Sequence, residues 1–168
     1  GNLAVAISLA TARAAAASQG VPLFRYVAGM GDNVLPAVMG NVLGGGAHAV
    51  GGTDIQEFLV TSFDDDVSRA IDANTAVHRA VGAALRERFP DTALGKGDEG
   101  AWVAPLENVA ALELVVEAAQ SVADETGVDI RPGLDLAASE FYRDGKYVYK
   151  DRSLTPAEQV DFVVSLIE

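Results

Sequence analysis

The sequence contains no cysteine, little positive charge and no long uninterrupted apolar run. Without cysteine, the chain has no disulfide, no thiolate-ligated zinc site and no thiol nucleophile. Asp and Glu number 24 against 12 Lys and Arg, for a net charge of −12. This acidity argues against nucleic acid or an anionic membrane as a partner. The longest apolar segment ends at Arg13, short of the roughly 18 residues of a membrane span.

The basic residues include only three lysines, Lys96, Lys146 and Lys150. Abundant acid with little lysine suits a high-salt cytosol, although an ordinary acidic protein can share this composition. No signal peptide is apparent near the amino end, so we expect a cytoplasmic location. The hydrophobic content of 49% is sufficient for a globular core.

Both ends of the chain resemble the interior of a longer pattern. A helical pattern is already established at Asn2, and it continues to about Ser18. Near the other end, Thr155, Pro156 and Glu158 form a helix-start signature, and the helix they begin reaches the last residue without a stop signal. We therefore expect this chain to be a piece of a longer protein.

The pattern between these two helices indicates an α/β fold. Periodicity and turn residues predict strands at 35–43, 54–62 and 128–137, helices from 64 to 89 and from 108 to 125, one short strand within 95–105, and a hairpin turning at Asp144–Gly145. Strands that alternate with helices favour a parallel sheet.

Helical spacing predicts which side chains of the two long helices face inward. For the first helix the predicted positions are Val67, Ile71, Asn74, Val77, His78, Val81 and Leu85, and for the second Val109, Leu112, Val115, Val116 and Ala119. His78 is interpreted as a core or helix-packing residue.

A glycine-rich loop at residues 44–52 is centred on His48. Gly44, Gly46 and Ala49 match a dinucleotide-binding pattern, but that pattern must open a helix, and here a strand follows instead. A mobile lid carrying His48 is the better hypothesis. The alternative is a loop histidine without a role.

Three carboxylates stand out against their surroundings. Glu57 interrupts an apolar strand, where a buried carboxylate needs a partner; alternatively, it faces water from an edge strand. Glu99 lies between glycines, either in a cleft or in a solvated turn. Asp135 lies late in a strand, where it could bind Mg²⁺ or cap the next turn, and Glu140 could compete for that role.

Seven motifs, in order and at characteristic spacing, resemble the enolase family. They are NLAVAISLA at 2–10, GVPLFRYVAG at 20–29, GGGAHA at 44–49, DIQEF at 54–58, GDEG at 97–100, GLDLAASEFY at 133–142 and DGKY at 144–147. The match is most similar to archaeal and halophilic members.

The resemblance implies a particular arrangement of domains. Residues 1–30 would be the last helix of an α+β amino-terminal domain and its connection. Residues 31–168 would be the first half of a modified TIM barrel that begins strand–strand–helix–helix, with its second strand antiparallel.

The resemblance also implies an activity, the Mg²⁺-dependent dehydration of 2-phosphoglycerate to phosphoenolpyruvate in glycolysis and gluconeogenesis. By this resemblance, His48 matches the lid histidine of the family, and Gln56 and Glu57 match the pair of residues that contacts the substrate. Glu99 matches the acid that assists departure of the hydroxyl group, and Asp135 matches a magnesium ligand. His48, Glu57 and Glu99 are thus the implied catalytic residues. The family further implies a homo-oligomer, a dimer or octamer.

Two departures from the family pattern lie in the glycine loop, where Gly44 replaces the usual Asn and Ala47 precedes the histidine. The base lysine and the other two metal carboxylates of the family have no counterpart here. We therefore expect this chain alone to be inactive. Two alternatives remain: a degenerate, non-catalytic enolase-like module, and an acid-sugar dehydratase of the same superfamily.

Overall fold

The computed structural model describes residues 1–29, 31, 34–49 and 51–167, except for the side chain of His48. The chain divides into two compact units, Gly1–Pro36 and Ala37–Glu168. Among the described residues, no helix has both the length and the apolar character that crossing a bilayer requires.

The first unit contains two helices, α1 at Asn2–Ser18 and α2 at Leu23–Ala28. The predicted end of α1 at Ser18 is confirmed. Gly20, with φ +66°, allows the chain to turn, and Pro22 is the N-cap of α2. Helix α2 was not predicted from the sequence, although the fixed φ of proline is compatible with a helix start.

The second unit is built on a mixed five-stranded sheet with the order β3-β4-β1-β2-β5. Its strands are β1 at Val38–Gly44, β2 at Glu57–Phe63, β3 at Gly95–Lys96, β4 at Trp102–Val103 and β5 at Asp129–Asp135. Strand β2 is antiparallel to both β1 and β5, whereas β1 and β4 are parallel. The antiparallel second strand implied by the resemblance is therefore confirmed.

Two long helices, α3 at Val67–Arg88 and α4 at Asn108–Thr126, cover one face of this sheet. Phe58 and Val60 of β2 are fully buried together with Val77 and Val81 of α3 and Val115 of α4. Asp66 caps α3, where its side chain accepts a hydrogen bond of 2.8 Å from the Ser68 backbone N–H. The expected order of strand, strand, helix, helix is found with one difference, because the short strands β3 and β4 lie between the two helices.

The predicted inward faces of the two helices are wrong at three positions. Ile71 is 50% exposed, and Val109 and Val116 are 44% and 43% exposed. The helices instead bury small residues that were not predicted, including Ala70 and Ala73 of α3 and Ala111 and Ala118 of α4. Small side chains permit close packing, which a ranking by hydrophobicity alone overlooks.

The 95–105 segment forms a hairpin rather than the single short strand expected. Strands β3 and β4 pair antiparallel, and β4 also joins the edge of β1 where Leu43 is opposite Trp102.

A small three-stranded sheet and a helix complete the second unit. After a 3₁₀ turn at Ala138–Phe141 come β6 at Tyr142–Arg143, β7 at Lys146–Val148, β8 at Ser153–Leu154 and α5 at Pro156–Ser165. Asp144 and Gly145 both have positive φ, which confirms the predicted hairpin turn.

Helix α5 begins with the predicted capping box of Thr155 and Glu158. Hydrogen bonds from the Thr155 backbone N–H and hydroxyl hold the pKa of Glu158 below its ordinary value. Nearby, burial raises the pKa of Tyr149, whose hydroxyl donates to Gln159.

Candidate functional site

Polar side chains gather on the face of the sheet opposite α3 and α4. Along β2, Phe58 and Val60 are buried, while Glu57 and Leu59 alternate with them and are half-buried. Directly paired residues of antiparallel strands share a face. Asp135 is paired with Glu57, and Asn41 is paired with Leu59. Glu57, Asp135 and Asn41 therefore lie on this open face.

Glu57 and Asp135 are cross-strand neighbours at the same end of the sheet. Glu57 is the first residue of β2 and Asp135 the last of β5. Strand β2 lies between β1 and β5, so the alternative of an edge strand is wrong.

The position of Asp135 separates it from Glu140, the rival metal ligand. One oxygen of Asp135, Oδ1, accepts a hydrogen bond of 2.9 Å from the Ala137 backbone N–H. Glu140 lies in the 3₁₀ turn that follows, outside the register with β2. Asp135 is thus the carboxylate that the sheet brings to Glu57.

Within the part of the chain that the structure describes, no complete metal site is found. Among residues 1–29, 31, 34–49 and 51–167, no group of three or more His, Cys, Asp and Glu could hold a metal ion. Asp135 offers a hard oxygen ligand of the kind that Mg²⁺ prefers, but a complete site needs further ligands.

Glu99 is brought to the same face by the tip of the β3–β4 hairpin. The tip is closed by hydrogen bonds from the Gly97 N–H to the Ala101 carbonyl, 2.9 Å, and from the Gly100 N–H to the Gly97 carbonyl, 3.0 Å. The Glu99 side chain is exposed, as in the solvated-turn alternative, yet its Oε2 accepts a hydrogen bond of 3.1 Å from Asn41 Nδ2. Glu99 is therefore tied to β1.

The hairpin is anchored to α3 through His78 and Trp102. His78 Nε2 lies 3.0 Å from the Gly100 carbonyl oxygen, and because a carbonyl only accepts, Nε2 carries the proton. The two rings stack with centroids 5.4 Å apart, and Trp102 Nε1 donates to the His78 carbonyl at 2.8 Å. His78 is confirmed as a helix-packing residue.

The glycine-rich loop folds back on the segment before β2. The Gly45 N–H donates to the Gln56 carbonyl at 2.9 Å, and the Gly46 N–H donates to the Thr53 carbonyl at 2.8 Å. A Cβ on Gly45 would lie 2.0 Å from Thr53 Oγ1, so this glycine is required by close packing.

The loop does not open an α-helix. It contains a 3₁₀ turn at Gly46–His48 and leads to β2, which agrees with the exclusion of a dinucleotide site. His48 ends this turn, but its side chain lies outside the described part of the chain, so its proposed role stays a prediction.

A cleft of about 560 Å³ between this loop and the hairpin is lined in part by Ala49, Gly51 and Asp98.

Gln56 immediately precedes β2 and is half-buried. The segment that leads to it is held by Asn108, the first residue of α4, whose Oδ1 accepts from the backbone N–H groups of Asp54 and Ile55, each at 3.0 Å. Asn108 and Asn41 were both missed by the sequence analysis. In the sequence, each of these asparagines is recognisable as an amide within or next to an apolar segment. This pattern does not show which residue the amide bonds.

Comparison with known proteins identifies relatives along nearly the whole chain. A family model described as "Enolase, C-terminal TIM barrel domain" matches residues 32–167. An enolase from Archaeoglobus fulgidus is 46% identical over 169 residues, and one from Methanothermobacter thermautotrophicus is 45% identical over 174 residues; each match covers 100% of this chain. An enolase from Halorubrum lacusprofundi is 46% identical over 172 residues, covering 99% of this chain.

The chain spans only 42% of the length of each of these three relatives. The open sheet agrees with this, because the described strands make part of a barrel and do not close one. With most of its residues matched by the family model, the chain belongs to the enolase family.

Proposed function

We propose that the full-length protein containing this chain dehydrates 2-phosphoglycerate to phosphoenolpyruvate. Family membership supports this reaction. The observation that carries it is the placement of three carboxylates on one open face of the sheet: Glu57 and Asp135 are paired across β2 and β5, and Glu99 is tied to the same face through Asn41. Ligands of barrel enzymes bind at strand ends of this kind.

Glu99 is proposed as the acid that assists departure of the hydroxyl group. The C–O bond breaks with its electron pair going to oxygen, the Glu99 proton joins that oxygen, and water leaves. Glu99 ends the step as a carboxylate. Its place on an exposed hairpin tip, tied to β1 by Asn41, supports this role because the carboxyl group is accessible yet oriented.

Gln56, Glu57 and His48 are proposed to contact the substrate. Gln56 and Glu57 lie at the start of β2, and the glycine loop that carries His48 folds over the segment just before them. Glu57 and His48 are also proposed to take part in catalysis. A loop closing over the substrate would exclude water from the reacting groups.

Asp135 is proposed as one ligand of a Mg²⁺ ion, which would supply charge stabilisation for the reacting carboxylate. By the family pattern, the remaining metal carboxylates and the base lysine lie on later strands than those of this chain. The chain alone is therefore proposed to be inactive. Residues 1–30 are proposed to end the preceding domain, with the barrel beginning at about residue 31.

The proposal extends to the cellular setting of the full-length protein. It would act in glycolysis and gluconeogenesis in the cytoplasm, as a homo-oligomer, a dimer or octamer, without nucleic acid or membrane partners. The acidity and the scarcity of lysine support a high-salt host.

An assay of phosphoenolpyruvate formation tests the function. With Mg²⁺ and 2-phosphoglycerate, the full-length protein is expected to turn over, whereas the 168-residue chain is expected to show no turnover. A full-length protein that folds but forms no product would contradict the proposed reaction and leave the two alternatives, the non-catalytic module and the acid-sugar dehydratase, which an assay with acid sugars would separate. Turnover by the isolated chain would contradict the assignment of essential residues to later strands.

A further inference from the structure

Asn41 places a polar side chain in a strand that is otherwise largely apolar. Its Nδ2 donates a hydrogen bond of 3.1 Å to Glu99 Oε2, across 58 residues of sequence. Its Oδ1 is buried and has no hydrogen-bond partner among the described residues. All the hydrogen bonding found for this amide group is therefore directed at Glu99.

The hydrogen bond to Glu99 is the contribution of Asn41 that an apolar side chain could not make. Leucine has nearly the same size as asparagine but has no N–H donor on its side chain. Replacing Asn41 by leucine would therefore remove the contact to Glu99 while approximately keeping the volume of the side chain.

A β-bulge directs Asn41 to the open face. Asn41 pairs with Leu59 and Leu43 pairs with Phe58, so two steps along β1 match one step along β2. The extra residue, Val42, lets both Val42 and Leu43 be buried while Asn41 keeps its place on the face of Glu57. Bulges commonly re-aim side chains beside functional sites.

We propose that Asn41 is a positioning residue that fixes which oxygen of Glu99 delivers the proton. Because Oε2 accepts the amide N–H, the proton of the acid resides on Oε1. As that proton passes to the departing hydroxyl oxygen, negative charge grows on the Glu99 carboxylate and the Asn41 hydrogen bond strengthens. Asn41 thereby stabilises the dehydration step. The inference rests on the proposed function.

Two variants of the full-length protein test this role. Asn41→Leu keeps the approximate size of the side chain and Asn41→Ala shortens it, and both remove the Nδ2 donor without placing a charge beside Glu99. Asn41→Ala provides a second test if the Leu variant does not fold. Met39→Leu is the control, because Met39 lies two residues earlier on the same face of β1.

Two rates are measured for each protein: phosphoenolpyruvate formation, and exchange of the substrate's α-proton with solvent deuterium. Exchange reports proton abstraction, which does not use Glu99 as an acid. Loss of one oriented donor to a developing charge should lower kcat for dehydration by about 10- to 100-fold. We expect KM and the exchange rate to change by less than about threefold, within the range of ordinary surface effects.

An equal fall in both rates would assign Asn41 to the fold and overturn the inference, as would unchanged dehydration in both variants. Either outcome leaves the proposed function intact, because the unmodified protein would still turn over. An unmodified protein without turnover would instead overturn the proposed function and this inference together.

Discussion

Among individual residues, Asn108 does most to hold the approach to the candidate site. Its side chain is 7% exposed and makes three hydrogen bonds, two accepted from the backbone N–H groups of Asp54 and Ile55 and one donated to Asp54 Oδ2 at 3.1 Å. Asp54 Oδ1 accepts in turn from the Lys150 backbone N–H, and Lys150 Nζ donates to the Gly52 carbonyl. One amide therefore connects α4 to the segment that leads to Gln56 and Glu57.

Asn108→Ala should destabilise the full-length protein by roughly 2–4 kcal/mol, because it leaves two buried backbone N–H groups without an acceptor. Urea unfolding measures this change. Gln120→Ala is the matched control: its amide lies on the exposed side of the same helix and bonds only Asp124 within that helix. The control should change the free energy of unfolding by less than about 0.5 kcal/mol. Equal effects of the two substitutions would contradict the role given to Asn108.

The predictability of the site differed from residue to residue. Glu57 and Asp135 could be selected as candidates because each is a carboxylate in an apolar strand, but their pairing across β2 and β5 is known only from the structure. Asn41 and Asn108 could not be identified, because the partner of Asn41 lies 58 residues away in sequence and those of Asn108 lie 54 and 53 residues away. Only the bulge in β1 and the docking of α4 bring those partners together.

At the scale of elements, the packing of the β3–β4 hairpin against α3 determines where Glu99 lies. Trp102 is 8% exposed and packs against Gly82 of α3, while Arg86 and Lys96 lie over its ring at 4.8 and 4.6 Å from the centroid. A Cβ on Gly82 would approach the ring to 2.4 Å. Glycine is thus required by the close approach of helix and indole.

Gly82→Ala should destabilise the full-length protein by roughly 1–3 kcal/mol, because the clash outweighs a gain of about 1 kcal/mol in helix propensity. The free energy of unfolding measures the effect. In a Trp102→Leu background, the same substitution should cost less, because the ring that it strikes is gone. Gly95→Ala is the control, since a Cβ there meets nothing within 4 Å. An unchanged or raised free energy of unfolding in Gly82→Ala would contradict the close packing of Trp102 against Gly82.

The elements themselves were largely predictable, because α3, α4 and α5 carry strong periodicity and terminal signals. The two-residue strands β3 and β4 lie below the length at which alternation can be recognised, so the hairpin was expected as one strand. The rotation of α3 depends on small residues that pack closely against the sheet, and this rotation turns Ile71 outward.

At the scale of the whole molecule, the open face and the exposed apolar residues agree with a partial barrel. In the second unit, Met39, Ile71, Val116, Val160 and Val164 are each more than 40% exposed, an unusual number of large apolar side chains to leave in contact with water. The chain spans 42% of the length of its enolase relatives, so further strands and helices in those proteins have no counterpart here.

The most direct test of the account is the dehydration rate of the full-length protein carrying Glu99→Gln, compared with Glu113→Gln on the exposed side of α4. Glutamine keeps the size of the side chain but cannot donate a carboxylic proton. We predict that kcat falls by about 10²- to 10⁴-fold in Glu99→Gln, with Mg²⁺ binding retained, and stays unchanged in Glu113→Gln. Turnover of Glu99→Gln within twofold of the unmodified protein would contradict the assignment of Glu99 as the acid of this site.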